Sequence, residues 1–202
     1  MRQKLPDPAV QTGGLNTALR HALTLNADFY EDSNHLPHHR RIALTIVFLA
    51  SISHALGGII ILLVGRVTLP LLLLGTTISA LSIIAGYYLW TFTIWQIGRQ
   101  IHRQWDTRRP PTYTELLTPI GLAYAPQVFN FLTLIPLLGR AIELGLAAWS
   151  LLAVIVAVRQ GLDIKTGQAM LISLLFWLPL QIAIGVIQSL QPALMQSGGS
   201  TP

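Results

Sequence analysis

Long runs without a charged side chain dominate this sequence. No Asp, Glu, Lys or Arg occurs between Arg41 and Arg66, between Arg66 and Arg99, or between Glu115 and Arg140. A shorter run separates Glu143 from Arg159, and nothing charged follows Lys165. A helix crossing a hydrocarbon core of about 30 Å needs about 20 predominantly apolar residues. Five stretches qualify: 42–64, 69–97, 114–138, 141–158 and 169–187. The pattern therefore predicts an all-α fold, a polytopic membrane bundle of five transmembrane helices.

The polar segments complete the layout. Residues 1–14 carry Pro6, Pro8, Gly13 and Gly14 and read as irregular. Over residues 15–30, Leu15, Leu19, Ala22 and Leu23 share one helical face, with Phe29 and Tyr30 following. That spacing predicts a short N-terminal amphipathic helix lying at the cytoplasmic interface. Three regions result: a cytoplasmic N-terminal segment over 1–40, a five-span membrane domain over 41–190 and a disordered tail over 191–202, rich in Ser and Gly. The second span is long, 29 residues or about 43 Å. Its end holds Tyr87, Tyr88, Trp90 and Trp95, followed by Arg99, His102 and Arg103. The helix is expected to project past the headgroups into the cytoplasm until Pro110-Pro111 stops it.

Composition agrees with a lipid environment. Of 202 residues, 52% are hydrophobic and 10% charged, against about 25% charged in soluble domains. The net charge of +5 raises nucleic-acid binding as a class, but the basic residues are spread loop by loop, and nucleic acid is excluded as a partner. Eleven of the thirteen Lys and Arg residues fall in the N-terminal segment, the loop after span two and the loop after span four. Only Arg66 and Arg140 fall in the alternate connections. Basic loops stay cytoplasmic, so the N-terminus is predicted inside and the C-terminus outside. A bacterial plasma membrane or an internal membrane is the expected location. With no cysteine, a disulfide framework and a thiolate metal site are both ruled out.

The third span carries the most unusual chemistry. Pro126 removes a main-chain donor and crowds the carbonyl four residues earlier, so a kink is expected there, with Pro136 marking the exit. Tyr124, Gln127 and Asn130 fall within an arc of about 120° on an α-helix. Together with His54, mid-way along the first span, they form a candidate inner polar face. Intramembrane polar groups either join helices or bind and gate, and the sequence permits both. Arg140 and Glu143, three apart, are expected to pair. The basic-aromatic stretch Arg99, Arg103, Trp105, Arg108 and Arg109 suits anionic lipid headgroups or an acidic partner, beside its role in topology. His35, His38 and His39 surround Pro37 without a carboxylate or cysteine to complete a ligand set, and read as a solvated or headgroup-facing cluster. No metal site, cofactor or catalytic set is expected. A dyad of His54 with Ser79 or Ser82 is the one arrangement imaginable for a hydrolase.

The pieces Tyr124-Ala125-Pro126, Ile135-Pro136-Leu137-Leu138-Gly139, Trp149 and Arg159-Gln160-Gly161-Leu162-Asp163 resemble the Yip family of Ypt-interacting membrane proteins, in its bacterial-type branch. The resemblance covers roughly residues 40–190 and implies a five-helix bundle with a cytoplasmic N-terminus. The family's Asp-Leu-Tyr-Gly-Pro motif ahead of the first span is replaced here by residues 35–41, so GTPase binding is not carried over. The expected function is a non-enzymatic adaptor that binds membrane-protein or lipid partners, or assembles as a homo-oligomer. A small-solute channel or carrier lined by the third span is the alternative, and an intramembrane hydrolase the third reading.

Overall fold

A computed structural model describes residues 14–33, 37–64, 68–105, 111–135, 137–175 and 177. Every element among them is helical. In chain order they are α1 (Leu15–Leu23), α2 (Ala27–Asp32), α3 (Pro37–Val64), α4 (Leu69–Trp105), α5 (Tyr113–Leu122), a 3-10 segment (Ala125–Leu134), α6 (Gly139–Leu162) and α7 (Thr166–Leu175). Among the described residues, two helices are long and apolar enough to cross a membrane: Leu69–Gln100 within α4, 32 residues, and α6, 24 residues. The expected fifth span lies largely outside the described residues, as does the tail.

The anticipated helix over 114–138 is two elements. Glu115 accepts a hydrogen bond from the Thr112 N–H at 2.7 Å and so starts α5. The α-winding then ends at Leu122, four residues before Pro126. An α-helix continued through Pro126 would drive its ring into the Leu122 carbonyl and leave that carbonyl without a donor. The chain instead turns at Tyr124, whose N–H donates to Gly121 at 3.2 Å, and winds as a 3-10 helix for ten residues. Such runs rarely exceed three or four residues, because their hydrogen bonds are poorly aligned. Outside support is therefore needed, and α3 and α6 supply it by packing along both sides.

Two buried clusters hold the bundle. One joins Tyr87 and Ile94 of α4 to Leu116 and Ile120 of α5, Val158 of α6 and Ile172 of α7. Close approach depends on glycine: a Cβ on Gly121 would lie 3.0 Å from the Ala43 Cβ. The other cluster contains the N-terminal hairpin. Ala18, Ala22, Phe29 and Tyr30 are all at most 2% exposed, packed among Ile46, Leu122, Ala125 and Ala153. Ala18 and Ala22 on the apolar face of α1 thus pack against protein, with Leu15, Leu19 and Leu23 partly buried beside them. The single helix expected over 15–30 is two, because the chain turns between them: Leu25 takes a left-handed conformation (φ 55°), and Asn26 caps α2 by accepting from the Phe29 N–H at 3.3 Å.

Away from these clusters the apolar surface is bare. Leu69, Leu81 and Leu89 of α4 are 69%, 60% and 68% exposed. Large apolar side chains exposed all along and around one helix suit a surface that meets lipid or another protein.

Candidate functional site

The polar row along the 3-10 segment is straight. In 3-10 winding, residues three apart eclipse one another, so Tyr124, Gln127, Asn130 and Thr133 stand in line rather than across an arc. The row lies in the seam between α3 and α6, and successive members reach opposite neighbours. The Gln127 Nε2 donates to the Ser150 hydroxyl of α6 at 2.7 Å. The Asn130 amide is 2.9 Å from Nδ1 of His54 on α3. Thr133 donates to the Asn130 carbonyl at 2.7 Å. Tyr124 sets its ring edge-on to Tyr87, with centroids 5.8 Å apart, and so bridges the two apolar clusters.

The four residues singled out by sequence do meet in one region. His54 is itself exposed while Asn130 is 8% exposed, so the imidazole lies at the rim of the seam. Three further participants are absent from the sequence-based set: Ser53, Ser150 and Thr133. Ser53 accepts from the Phe131 main-chain N–H at 2.8 Å. Thr133 is legible as the next step of a three-residue repeat, whereas Ser53 and Ser150 are defined only by which helices become neighbours. Pro136 falls outside the described residues.

Chemically the cluster is a joint. The Gln127, Asn130 and Ser53 side chains are engaged across three elements, with Ser150, His54 and the Phe131 main chain. Of the imagined dyad, Nδ1 of His54 faces Asn130, and the Ser82 hydroxyl donates to the Ile78 carbonyl of its own helix at 2.8 Å. Among the described residues, no group of three His, Cys, Asp or Glu side chains is placed to hold a metal. An open groove of about 390 Å³ lies elsewhere, between α3 and α4, lined by Ser51, Ile52, Ala55, Thr76, Thr77 and Ala80 among others. Its hydroxyls are turned back onto their own helices: Ser51 donates to Phe48, Thr76 to Leu72 and Thr77 to Leu73. The groove therefore presents an apolar wall.

At the other end of α4, the Arg99 guanidinium stacks 4.8 Å above the Trp95 ring. Trp95 in turn meets Phe92 and Tyr113 at 5.7 and 6.1 Å. The side chains of Arg103 and Trp105, and all of Arg108 and Arg109, lie outside the described residues. Arg140 and Glu143 form the expected ion pair at 2.9 Å, both well exposed. The histidine cluster divides. His38 is exposed, but His39 is 1% exposed with its ring edge against Phe29 at 5.5 Å, so the solvated reading is corrected for His39; His35 is outside the described residues.

The chain matches no family model, no curated protein and no solved structure. Function is accordingly inferred from the geometry above.

Proposed function

We propose that this protein is a non-enzymatic, five-span membrane adaptor of Yip-like organisation, with its N-terminus in the cytoplasm, that binds membrane-protein partners and anionic lipid headgroups. The carrying observation is the use made of the third span's polar groups. Gln127 and Asn130 are committed to Ser150 and His54, so they join helices. Joints of this kind are worth about 0.6 kcal/mol per hydrogen bond on average. They suit an element that shifts between packings when a partner binds better than they suit a reaction centre. The bare apolar face of α4 supports lipid as the surrounding medium. Arg99, oriented by Trp95 and paired with no carboxylate among the described residues, supports a cytoplasmic-side headgroup contact for the Arg99–Arg109 stretch.

The alternative, a solute path lined by Tyr124, Gln127 and Asn130, draws less support. The described groove excludes those three residues and presents an apolar lining. The test is substitution of Tyr124, Gln127, Asn130 and His54, followed by partner crosslinking and lipid co-purification in mild detergent. Altered capture is expected, and unchanged capture of both would sink the reading.

A further inference from the structure

The C-terminal end of α4 has a buried face and an open one. Thr91, Ile94 and Gly98 are buried, and a Cβ added at Gly98 would meet the Leu162 side chain of α6, so this face is held against the bundle. Phe92, Trp95 and Arg99 fall within an arc of about 60° on the adjoining face, with Phe92 and Arg99 exposed. Tyr113 of α5 closes one flank. Its ring meets those of Phe92 and Trp95 at steep angles, with centroids 6.4 and 6.1 Å apart, and its hydroxyl donates to the Tyr88 carbonyl at 3.2 Å. Trp95 is thereby held in place beneath the Arg99 guanidinium, which lies 4.8 Å from its ring centroid.

The stacking fixes the depth of the charge. Helical side chains lean toward the helix N-terminus, so Arg99 returns one turn toward the apolar part of α4 instead of reaching away from it. Among the described residues, Phe92 is the last large apolar side chain exposed along α4. Trp95 lies three residues beyond it, about 4.5 Å along the axis. The headgroup layer on each side of a bilayer is about 5–7 Å deep, so the guanidinium stands within that layer. Stacking occupies one face of the guanidinium and leaves its edge N–H groups to oxygen acceptors. The Glu115 carboxylate on α5 accepts from the Thr112 N–H, and no carboxylate pairs with Arg99 among the described residues.

We propose that Arg99 is the phosphate-binding residue of a discrete anionic-phospholipid site, with two guanidinium N–H groups on the phosphodiester oxygens and Phe92, Trp95 and Tyr113 against the glycerol and upper acyl chains. This rests on the reading of α4 as embedded in lipid, and it replaces a diffuse attraction between basic loops and the surface by one placed contact. The two modes make different demands on the side chain. Attraction to an anionic surface counts Lys and Arg alike, whereas stacking combined with two parallel bonds to one phosphate requires the planar fork of Arg. An anionic headgroup such as that of phosphatidylglycerol brings no ammonium group to compete with the guanidinium.

The full chain in neutral detergent is titrated with phosphatidylglycerol, and bound lipid is counted by native mass spectrometry. Arg99→Lys keeps the net charge and is expected to weaken retention of the tightest lipid about fivefold or more. Trp95→Leu, which removes the ring and no charge, is expected to weaken it by a similar factor. Arg159→Gln removes an exposed charge at the end of α6 and is expected to change retention by less than about twofold. Unchanged retention in Arg99→Lys, or equal losses in all three variants, would overturn the placed site in favour of diffuse attraction. Arg99 is exposed, so its lysine variant keeps the fold and decides the matter even where Trp95→Leu unfolds. Inorganic phosphate in about tenfold excess is expected to leave the lipid in place. Displacement by phosphate would assign the guanidinium to a free anion, and displacement by a Glu-rich peptide would assign it to an acidic protein segment; either result counts against the proposal. A wild-type chain that stays soluble without detergent and retains no lipid would instead sink the membrane reading itself, so the two failures are distinguishable.

Discussion

The Ser53 hydroxyl on α3 accepts a hydrogen bond from the main-chain N–H of Phe131, 78 residues away, at 2.8 Å. A side chain of one helix thereby supports the backbone of a long 3-10 run that its own winding holds poorly. Ser53→Ala is expected to cost about 1–3 kcal/mol, the penalty for orphaning a partly buried donor. Ser51→Ala, whose hydroxyl bonds only its own helix, serves as the control. Thermal unfolding in detergent that ranks the two variants equally would remove Ser53 from its supporting role.

The Gln127–Ser150 bond invites a double-mutant cycle with Gln127→Leu and Ser150→Ala. The coupling energy should be about 0.6 kcal/mol and should not exceed about 1.7 kcal/mol, the range for interhelical bonds in membranes. A coupling of zero in reversible unfolding would show that the 2.7 Å contact contributes nothing.

Two glycines should respond oppositely to a side chain. A Cβ at Gly121 meets the Ala43 Cβ at 3.0 Å and its main-chain carbonyl at 3.4 Å, while nothing lies within 4 Å of one at Gly145. Gly121→Leu is therefore expected to destabilise by about 1–3 kcal/mol or more through overpacking. Gly145→Ala should be neutral or stabilising by up to about 1 kcal/mol, since glycine weakens a helix interior. Melting temperatures that fall for both would contradict the close α3–α5 approach.

Burial raises the Tyr30 phenol above its ordinary value, which is about 10. The folded chain keeps this proton at a pH where the unfolded chain releases it. The associated stability is full below about pH 10 and is lost as pH rises beyond it. Ultraviolet titration should show a delayed step of tyrosine ionisation that accompanies unfolding, and Tyr30→Phe should reduce its amplitude by one tyrosine. The same variant should cost about 1 kcal/mol at neutral pH, through loss of the bond to the Ala22 carbonyl.

Under the proposed topology, Arg140→Cys is labelled by an impermeant maleimide from outside the membrane and Arg159→Cys only from the cytoplasmic side. Labelling of both from one face would disprove the proposed orientation.

The features legible in the sequence follow from local chemistry. Charge-free runs mark long apolar helices, because a charged group is costly to place in hydrocarbon wherever the fold leads. Pro126 ends α-winding by colliding with its own chain, so the break near Tyr124 requires no knowledge of neighbours. The i,i+3 spacing of Arg140 and Glu143 brings them together for the same reason.

Other features depend on contacts between distant segments. Whether α1 lies on lipid or in a protein slot turns on Ala153 and Trp149, the latter bonded to a carbonyl 126 residues away. The same amphipathic face satisfies either partner, so periodicity is silent. His39 looks solvated beside Pro37 until Phe29 folds back over it. The ten-residue 3-10 run is unfavourable by itself and exists because Ser53, His54 and Ser150 stand where its backbone and side chains need partners. Sequence alone thus marked the long apolar helices α4 and α6 and the place where the winding ahead of Pro126 must break. Only the tertiary structure decided what each face meets, because burial and hydrogen bonding between remote segments are properties of their meeting.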